Sequence, residues 1–508
     1  MKNAVAGLSR HENTLVWITP PRLGGVLSAL MLSAAVAGFA SAQTSVQTDD
    51  RRLSGGLTTV FSSHAGAFSL NSANMSSRRK GDFLIGNDFF EDPWVIAPAT
   101  TDLRDGLGPL FNVSACQSCH FNDGRGHAPS SATDDADSML IRLSRMPVES
   151  RIIAAMQKGE IAAFEDPVYG GQLQNRGNPG IRAEAQIRVH YKDRPVTFKD
   201  GTTLVLRDPV FQLQDWGYGE PPEGLVLSMR VAPPVIGMGL LEAIAETDLA
   251  ALQDLDDRDG NGISGKLARV WDIEKQAVVA GRFGWKAGQP TVRQQSAGAF
   301  NGDMGLTSSL FPVDGCTSVQ VECLQAPHGK DAVTGIEVRD DILDFVTHYV
   351  SNLAVPARRN LDDPAVQKGY GLFAQAGCLG CHVERYQTER QPPSRIEQSE
   401  QIIFPFTDLL LHDMGPDLAD RLLDGSPAEA SHLTEYQATA SEWRTPPLWG
   451  IGLSHIVNPN ATFLHDGRAR TLMEAVLWHG GEAEASKQKV LTFDQSQRDA
   501  LHAFLNSL

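Results

Sequence analysis

Cys116-Gln-Ser-Cys119-His120 and Cys378-Leu-Gly-Cys381-His382 each set two thiols three positions apart, with a histidine directly after. That spacing lets both thiols add to the vinyl groups of one porphyrin while the imidazole turns onto its iron as the proximal ligand. A chain with six cysteines and fourteen histidines would rarely make this string twice by chance. The competing readings are a CxxC redox pair and half of a zinc site. The first calls for a thioredoxin-like βαβ setting and the second for another Cys or His pair at short spacing, and neither is seen. Two covalently bound haems c are therefore expected on Cys116, Cys119, Cys378 and Cys381, with His120 and His382 as axial ligands.

Thiols are joined to haem outside the cytoplasm, and the N-terminus agrees. Lys2, Arg10 and Arg22 precede an apolar, small-residue run over 23–39, then Ala40-Ser41-Ala42. This reads as a signal peptide over 1–42, cleaved near Ala42, for a periplasmic or otherwise exported protein. An uncleaved anchor is the alternative, but the run is short for a membrane span and no later segment approaches that length, so no stable membrane insertion is expected after cleavage. In an oxidising compartment the two remaining cysteines, Cys316 and Cys323, are expected to close a small disulfide loop. The chain carries a formal charge of −17. That disfavours nucleic acid as a partner and would attract a basic redox protein.

The clearest joint is the Pro-bounded stretch 353–364, which follows a strongly helical pattern over 338–350 with apolar residues at three and four spacing. A helix over 367–376 would then present the second motif. The expected organisation is an N-terminal haem c domain over 43–352, interrupted by a loop- and hairpin-rich insertion over about 147–224, and a C-terminal haem c domain over 353–508. Within the insertion, Val196 to Leu206 reads as a hairpin around Asp200-Gly201. The fold class expected is mainly α: two cytochrome c-like domains with a partly β insertion.

Three further strings carry a family resemblance. Phe404-Pro-Phe-Thr-Asp408-Leu-Leu-Leu-His412-Asp413-Met414-Gly415-Pro416, Glu442-Trp443-Arg444-Thr445-Pro446-Pro447-Leu448-Trp449-Gly450 and Phe463-Leu-His465-Asp466-Gly467-Arg468-Ala469 resemble signatures of the bacterial di-haem oxidoreductases. That family has also carried the label of thiol oxidoreductase. It is similar to the di-haem cytochrome c peroxidases and to the di-haem enzyme that matures a tryptophylquinone cofactor. The resemblance covers most of the chain and is weakest from about Pro147 to Gly224. With four cysteines on haem and two on each other, no free reactive pair supports the thiol label.

The resemblance also implies ligands. Thr471-Leu472-Met473-Glu474-Ala475-Val476-Leu477-Trp478-His479 puts His479 where the peroxidases carry a methionine sixth ligand; the competing reading is that His479 only ends a helix before Gly480-Gly481. Met414 and His412 are rival sixth ligands. His465 would lie near a propionate, and Arg468 would pair with one. After the first motif, Arg125 could neutralise a propionate and His127 could approach the haem edge. No sequence position supplies a convincing sixth ligand there, which leaves that iron open for peroxide or oxygen chemistry.

In the peroxidases a tryptophan between the haems is followed ten positions later by a glutamine, then by a Glu-Met pair. Trp285 and Gln295 keep that spacing, and Asp303-Met304 follows with a shorter carboxylate. By resemblance Trp285 relays electrons, while Gln295 and Asp303 face the open side of the first iron, where a carboxylate can move a proton across a bound peroxide. Glu242 is a further candidate acid, with a helix-starting role as its alternative. Asp257, Asp259 and Asn261 occupy the first, third and fifth positions of a calcium-like loop, but Ala268 stands where a bidentate Glu is needed; a self-stabilised Asp/Gly turn explains the loop equally well.

The expectation is an exported peroxidase-like oxidoreductase. Electrons would come from a small cytochrome or cupredoxin to the C-terminal haem, and hydrogen peroxide would react at the N-terminal haem. A non-catalytic electron carrier and an oxidase acting on a partner protein are the alternatives.

Overall fold

The structure, a computed structural model, describes residues 50–508 apart from 102, 132–133, 135–136 and 222. The leader and its cleavage point near Ala42 lie outside the described residues. Among the described residues no helix is long and apolar enough to cross a membrane.

The apolar period over 338–350 becomes the helix Asp340–Asn352, which buries Ile342, Leu343, Val346, Tyr349 and Val350. It packs on the helix Ser77–Glu91. Gly86 permits that approach, because a Cβ there would stand 2.2 Å from the Phe345 carbonyl oxygen. A second helix pair supports the second motif. Asp363 accepts a hydrogen bond from the Ala365 amide at 2.7 Å and so caps the helix Pro364–Gln375, with proline in its first turn. That helix lies against Gln495–Ser507, where Gly369 faces the Ala500 carbonyl.

The chain is not mainly α. Among the described residues helices hold 29% and strands 19%, the strands spread over several small sheets. The physical reason is that a haem-attachment motif requires only one helical turn. The first occupies a helix of four residues, Cys116–Cys119, and the second a 3-10 turn, Cys378–Gly380. The segments between them, rich in Asp, Gly and Pro, pair as short antiparallel strands instead.

The longest of these pairings is the hairpin Gln186–Thr197 with Thr203–Gln214. It turns at Asp200-Gly201 as its sequence suggests, with Gly201 at φ +86° and the Asp200 carboxylate accepting from the Thr202 amide. The hairpin is not loose decoration. Phe198 and Leu206 are buried in the apolar cluster around Phe373, Phe406 and Phe504. Arg194 pairs with Asp417, and Arg498 with Asp200, at 2.7 and 2.8 Å. A three-stranded antiparallel sheet sets Leu225–Val231, buried throughout, between Met139–Arg145 and Arg421–Leu422, so residues from both halves of the chain share one sheet.

The proposed joint is also packed. Leu353, Ala354 and Val355 are buried, and the Ala354 amide donates to the Leu70 carbonyl. A stretch that reads as a linker is here an extended segment bridged by Val60 at Pro356 and by Asn71 at Leu353, with its apolar residues buried.

Candidate functional site

One cavity, partly open to solvent, is walled mainly by apolar side chains and by Cys378, Cys381, His382 and His479. His382 Nδ1 lies 2.9 Å from the Phe406 carbonyl oxygen, and His479 Nδ1 lies 2.7 Å from that of Ala475. A carbonyl only accepts, so each Nδ1 carries the proton and each Nε2 keeps its lone pair for a metal. Burial reinforces this, pushing His382 down to about 4 and His479 downward as well. His479 ends the helix Leu472–Trp478, so the C-cap and ligand readings describe the same position.

The competing ligands fall differently. Both ring nitrogens of His412 are taken: Nδ1 by Glu482 at 2.6 Å and Nε2 by Asp408 at 2.8 Å. The two carboxylates hold it as imidazolium, its pKa raised despite burial, with no nitrogen left for iron. Met414 lines the cavity. His465 Nδ1 donates to the Met229 carbonyl at 3.0 Å, which leaves Nε2 an acceptor, unsuited to bonding a carboxylate. Its ring stacks on Trp443 at 3.6 Å and meets Trp285 edge-on. Arg468 is already bound to Asp466 at 2.7 Å and lies over the Trp478 ring, so no propionate need pair with it.

At the first motif, His120 Nδ1 lies 2.7 Å from the Pro233 carbonyl, again leaving Nε2 for a metal. Burial pushes His120 down to about 4 and the Cys116 and Cys378 thiols up to about 12. Thiols so disfavoured as thiolates do not suit a redox CxxC pair. The helix Val292–Met304 runs alongside, starting at the Thr291 cap. Its Asp303 carbonyl accepts from the Asn112 and Val113 amides, just before the motif. The Asp303 carboxyl is half-buried, and desolvation raises its pKa; its charge in turn adds to the desolvation that raises Cys116 and Cys119. Gln172 donates to its Oδ1 at 2.9 Å.

Gln295 lies on the same helix, its Oε1 facing Gly284, next to Trp285. Trp285 is buried, donates from its indole to the Val231 carbonyl at 2.8 Å, and lines the cavity of the second motif. The structure thus brings Asp303 to the first motif and Trp285 to the second. Glu242 does not act at either: it accepts from the Val292 amide at 2.6 Å and pairs with Arg395, so it anchors the start of the Asp303 helix. It ends the helix Met238–Glu242 and does not start it.

Arg125 and His127 follow the first motif in sequence, but the Arg125 side chain lines the cavity of the second. Arg125 is buried, with Nε and Nη1 unpartnered, as is His127 Nδ1. In the calcium-like loop, Asp257 accepts from the Gly262 amide, Asp259 from Asn261, and Asn261 from Ile263, which are the contacts of a self-stabilised turn. Cys316 and Cys323 are disulfide-bonded with Cα atoms 5.8 Å apart.

Sequence reasoning assigned no role to Arg444, Lys286, Gln172 or Glu482. Arg444 lines the cavity and donates to the Gly284 carbonyl, and burial lowers it to about 10. Lys286 is wholly buried, 3.2 Å from Asp420 and 3.8 Å from the Trp443 ring centre. Trp443-Arg444 stood within a quoted motif and could have been found there; Gln172 lies where the resemblance is weakest.

An apolar cavity with the two cysteines of a CxxCH motif, two imidazoles offering Nε2 and buried unpartnered guanidinium nitrogens fits a haem, whose apolar ring and anionic propionates match those surfaces. This is the site of a haem-binding oxidoreductase. The chain belongs to the di-haem oxidoreductase family: the family model described as "Di-haem oxidoreductase, putative peroxidase" matches residues 48–508. No curated protein matches the chain. Among solved structures, Kuenenia stuttgartiensis hydrazine synthase, pressurised with xenon, aligns over 72% of this chain and 90% of its own at 16% identity and a TM-score of 0.29. A likeness that slight bears on neither fold nor activity.

Proposed function

We propose that the chain is an exported di-haem c oxidoreductase of the peroxidase type, with electrons entering at the C-terminal centre and hydrogen peroxide reacting at the N-terminal one. When bound, the haems would supply iron that accepts and passes single electrons. Cys116 with Cys119, and Cys378 with Cys381, would hold them covalently, and His120, His382 and His479 would ligate iron through Nε2. Holding the group through two imidazoles would suit the C-terminal centre to carrying electrons, and the acidic chain suits a small basic redox protein as donor. Trp285 gives an aromatic step between the two centres.

The Asp303 carboxyl carries the reading. It is half-buried near Cys116 and Cys119, its proton affinity is raised by desolvation, and Gln172 fixes its Oδ1. Its Oδ2 is the atom to take the proton from the near oxygen of peroxide and return it to the far oxygen as the O–O bond breaks. Two electrons from the centres and two protons then complete two waters. Gln295 would orient the peroxide.

The test is to mix the reduced protein with hydrogen peroxide in a stopped-flow spectrometer. Haem reoxidation well above the free-haem rate is expected. Reoxidation at the free-haem rate would overturn the reading in favour of a non-catalytic carrier.

A further inference from the structure

Arg125 belongs in sequence to the first motif, on the loop that follows His120, yet its side chain lines the cavity of the second, together with Cys378, His382 and His479. The loop is pinned in that position: the Gly126 amide donates to the Ala232 carbonyl, and Asn458 donates to the Arg125 carbonyl at 2.9 Å. The side chain is 4% exposed, and neither Nε nor Nη1 has a partner. Its neighbours are the faces of Trp285 and Phe463, at 5.7 and 5.5 Å.

Other buried cations here are satisfied. Arg468 has Asp466, Arg230 has Glu435, Lys286 has Asp420, and Arg444 has the carbonyls of Gly284 and Thr445. A buried guanidinium without an anion is costly, and aromatic faces offset only part of that cost. The geometry calls for a carboxylate supplied from inside the cavity. A haem brings two.

We propose that Arg125 binds a propionate of the haem held by Cys378 and Cys381, so that one guanidinium joins the loop of the N-terminal centre to the cofactor of the C-terminal one. This rests on the reading that both motifs carry haem. A planar fork matches a carboxylate with two parallel hydrogen bonds, which a lysine in its place could not reproduce. Its positive charge disfavours the ferric state of the nearer iron, and so raises that centre's potential.

The experiment compares wild type, Arg125→Gln and Arg125→Lys. Haem is first counted per chain by mass. The low-spin centre is identified as the one whose spectrum responds to His479→Met, and both midpoints are then followed by potentiometric titration. Arg125→Gln is expected to lower the C-terminal midpoint by more than the N-terminal one. Arg125→Lys is expected to hold that midpoint near the wild-type value while shifting the propionate bending bands of the C-terminal haem in resonance Raman spectra, which keeps the proposal testable should the glutamine variant fail to mature. A chain with fewer than two haems would overturn both the reading and the proposal. A two-haem protein in which only the N-terminal midpoint moves, or in which the lysine variant leaves the C-terminal propionate bands unchanged, overturns the proposal alone.

Discussion

Asp303→Asn isolates the proton-transfer role from the fold. Asparagine keeps the Oδ1 acceptor that Gln172 uses at 2.9 Å, and the backbone bonds from Asn112 and Val113 to the carbonyl of residue 303 do not involve the side chain. What is lost is a carboxyl able to take and return a proton. Positioned proton transfer contributes about 10²- to 10⁴-fold, which at about 1.36 kcal/mol per decade is roughly 2.7–5.4 kcal/mol of barrier. The variant should therefore reoxidise with peroxide about 10²–10⁴ times more slowly. Burial raises the Asp303 pKa, so in wild type the carboxylate form should appear, and the rate rise, with increasing pH through a value above the ordinary aspartate range. The variant should lack that limb.

Linkage gives a second sign. The folded chain holds this proton more tightly than the unfolded one, so this group's contribution to stability is present at low pH and is lost as pH rises from the unfolded to the folded pKa. Asp303→Asn should then be no less stable than wild type at neutral pH. Stopped-flow rates across pH decide the matter. A variant with the wild-type rate and the same pH limb would refute the proton-transfer role.

Three other outcomes are expected. His479→Met should convert the C-terminal centre to His/Met ligation and raise its midpoint, seen by potentiometry; an unchanged midpoint would remove His479 as a ligand. Lys286→Met should leave Asp420, itself wholly buried, without its cation at 3.2 Å, which costs about 3–5 kcal/mol in denaturant unfolding; a loss below about 1 kcal/mol, the range of exposed pairs, would contradict the burial argument. Gly369→Ala would drive a Cβ to 1.9 Å from the Ala500 carbonyl oxygen. That should part the two helices under the second motif and cost about 1–3 kcal/mol, measured in the same way.

Patterns with a local physical cause were legible. The 338–350 period gave its helix, Asp200-Gly201 its turn, and each cysteine-histidine string an imidazole with Nδ1 on a backbone carbonyl. The mainly α expectation failed because attachment needs only one turn of helix, and because residues 225–231, with no alternation to mark an edge, sit in the middle of a sheet whose partners lie far off in sequence. The joint at 353–364 misled for a related reason: flanking prolines and charges read as a linker, while Leu353, Ala354 and Val355 carry its packing. His412 illustrates the limit at the site. Its place in a motif made it a candidate ligand, and only the positions of Asp408 and Glu482 show that both nitrogens are used. Arg125 was visible beside the first motif, but its reach into the second cavity depends on tertiary contacts with Ala232 and Asn458.

If the two centres are unequal, as proposed, carbon monoxide binding to the fully reduced protein will separate them. Titration with spin-state spectra recorded at each step should show one equivalent bound per chain, at the centre that does not respond to His479→Met, while the other stays low-spin. Two low-spin centres that bind no carbon monoxide would contradict that inequality, and so would binding only at the centre carrying His479.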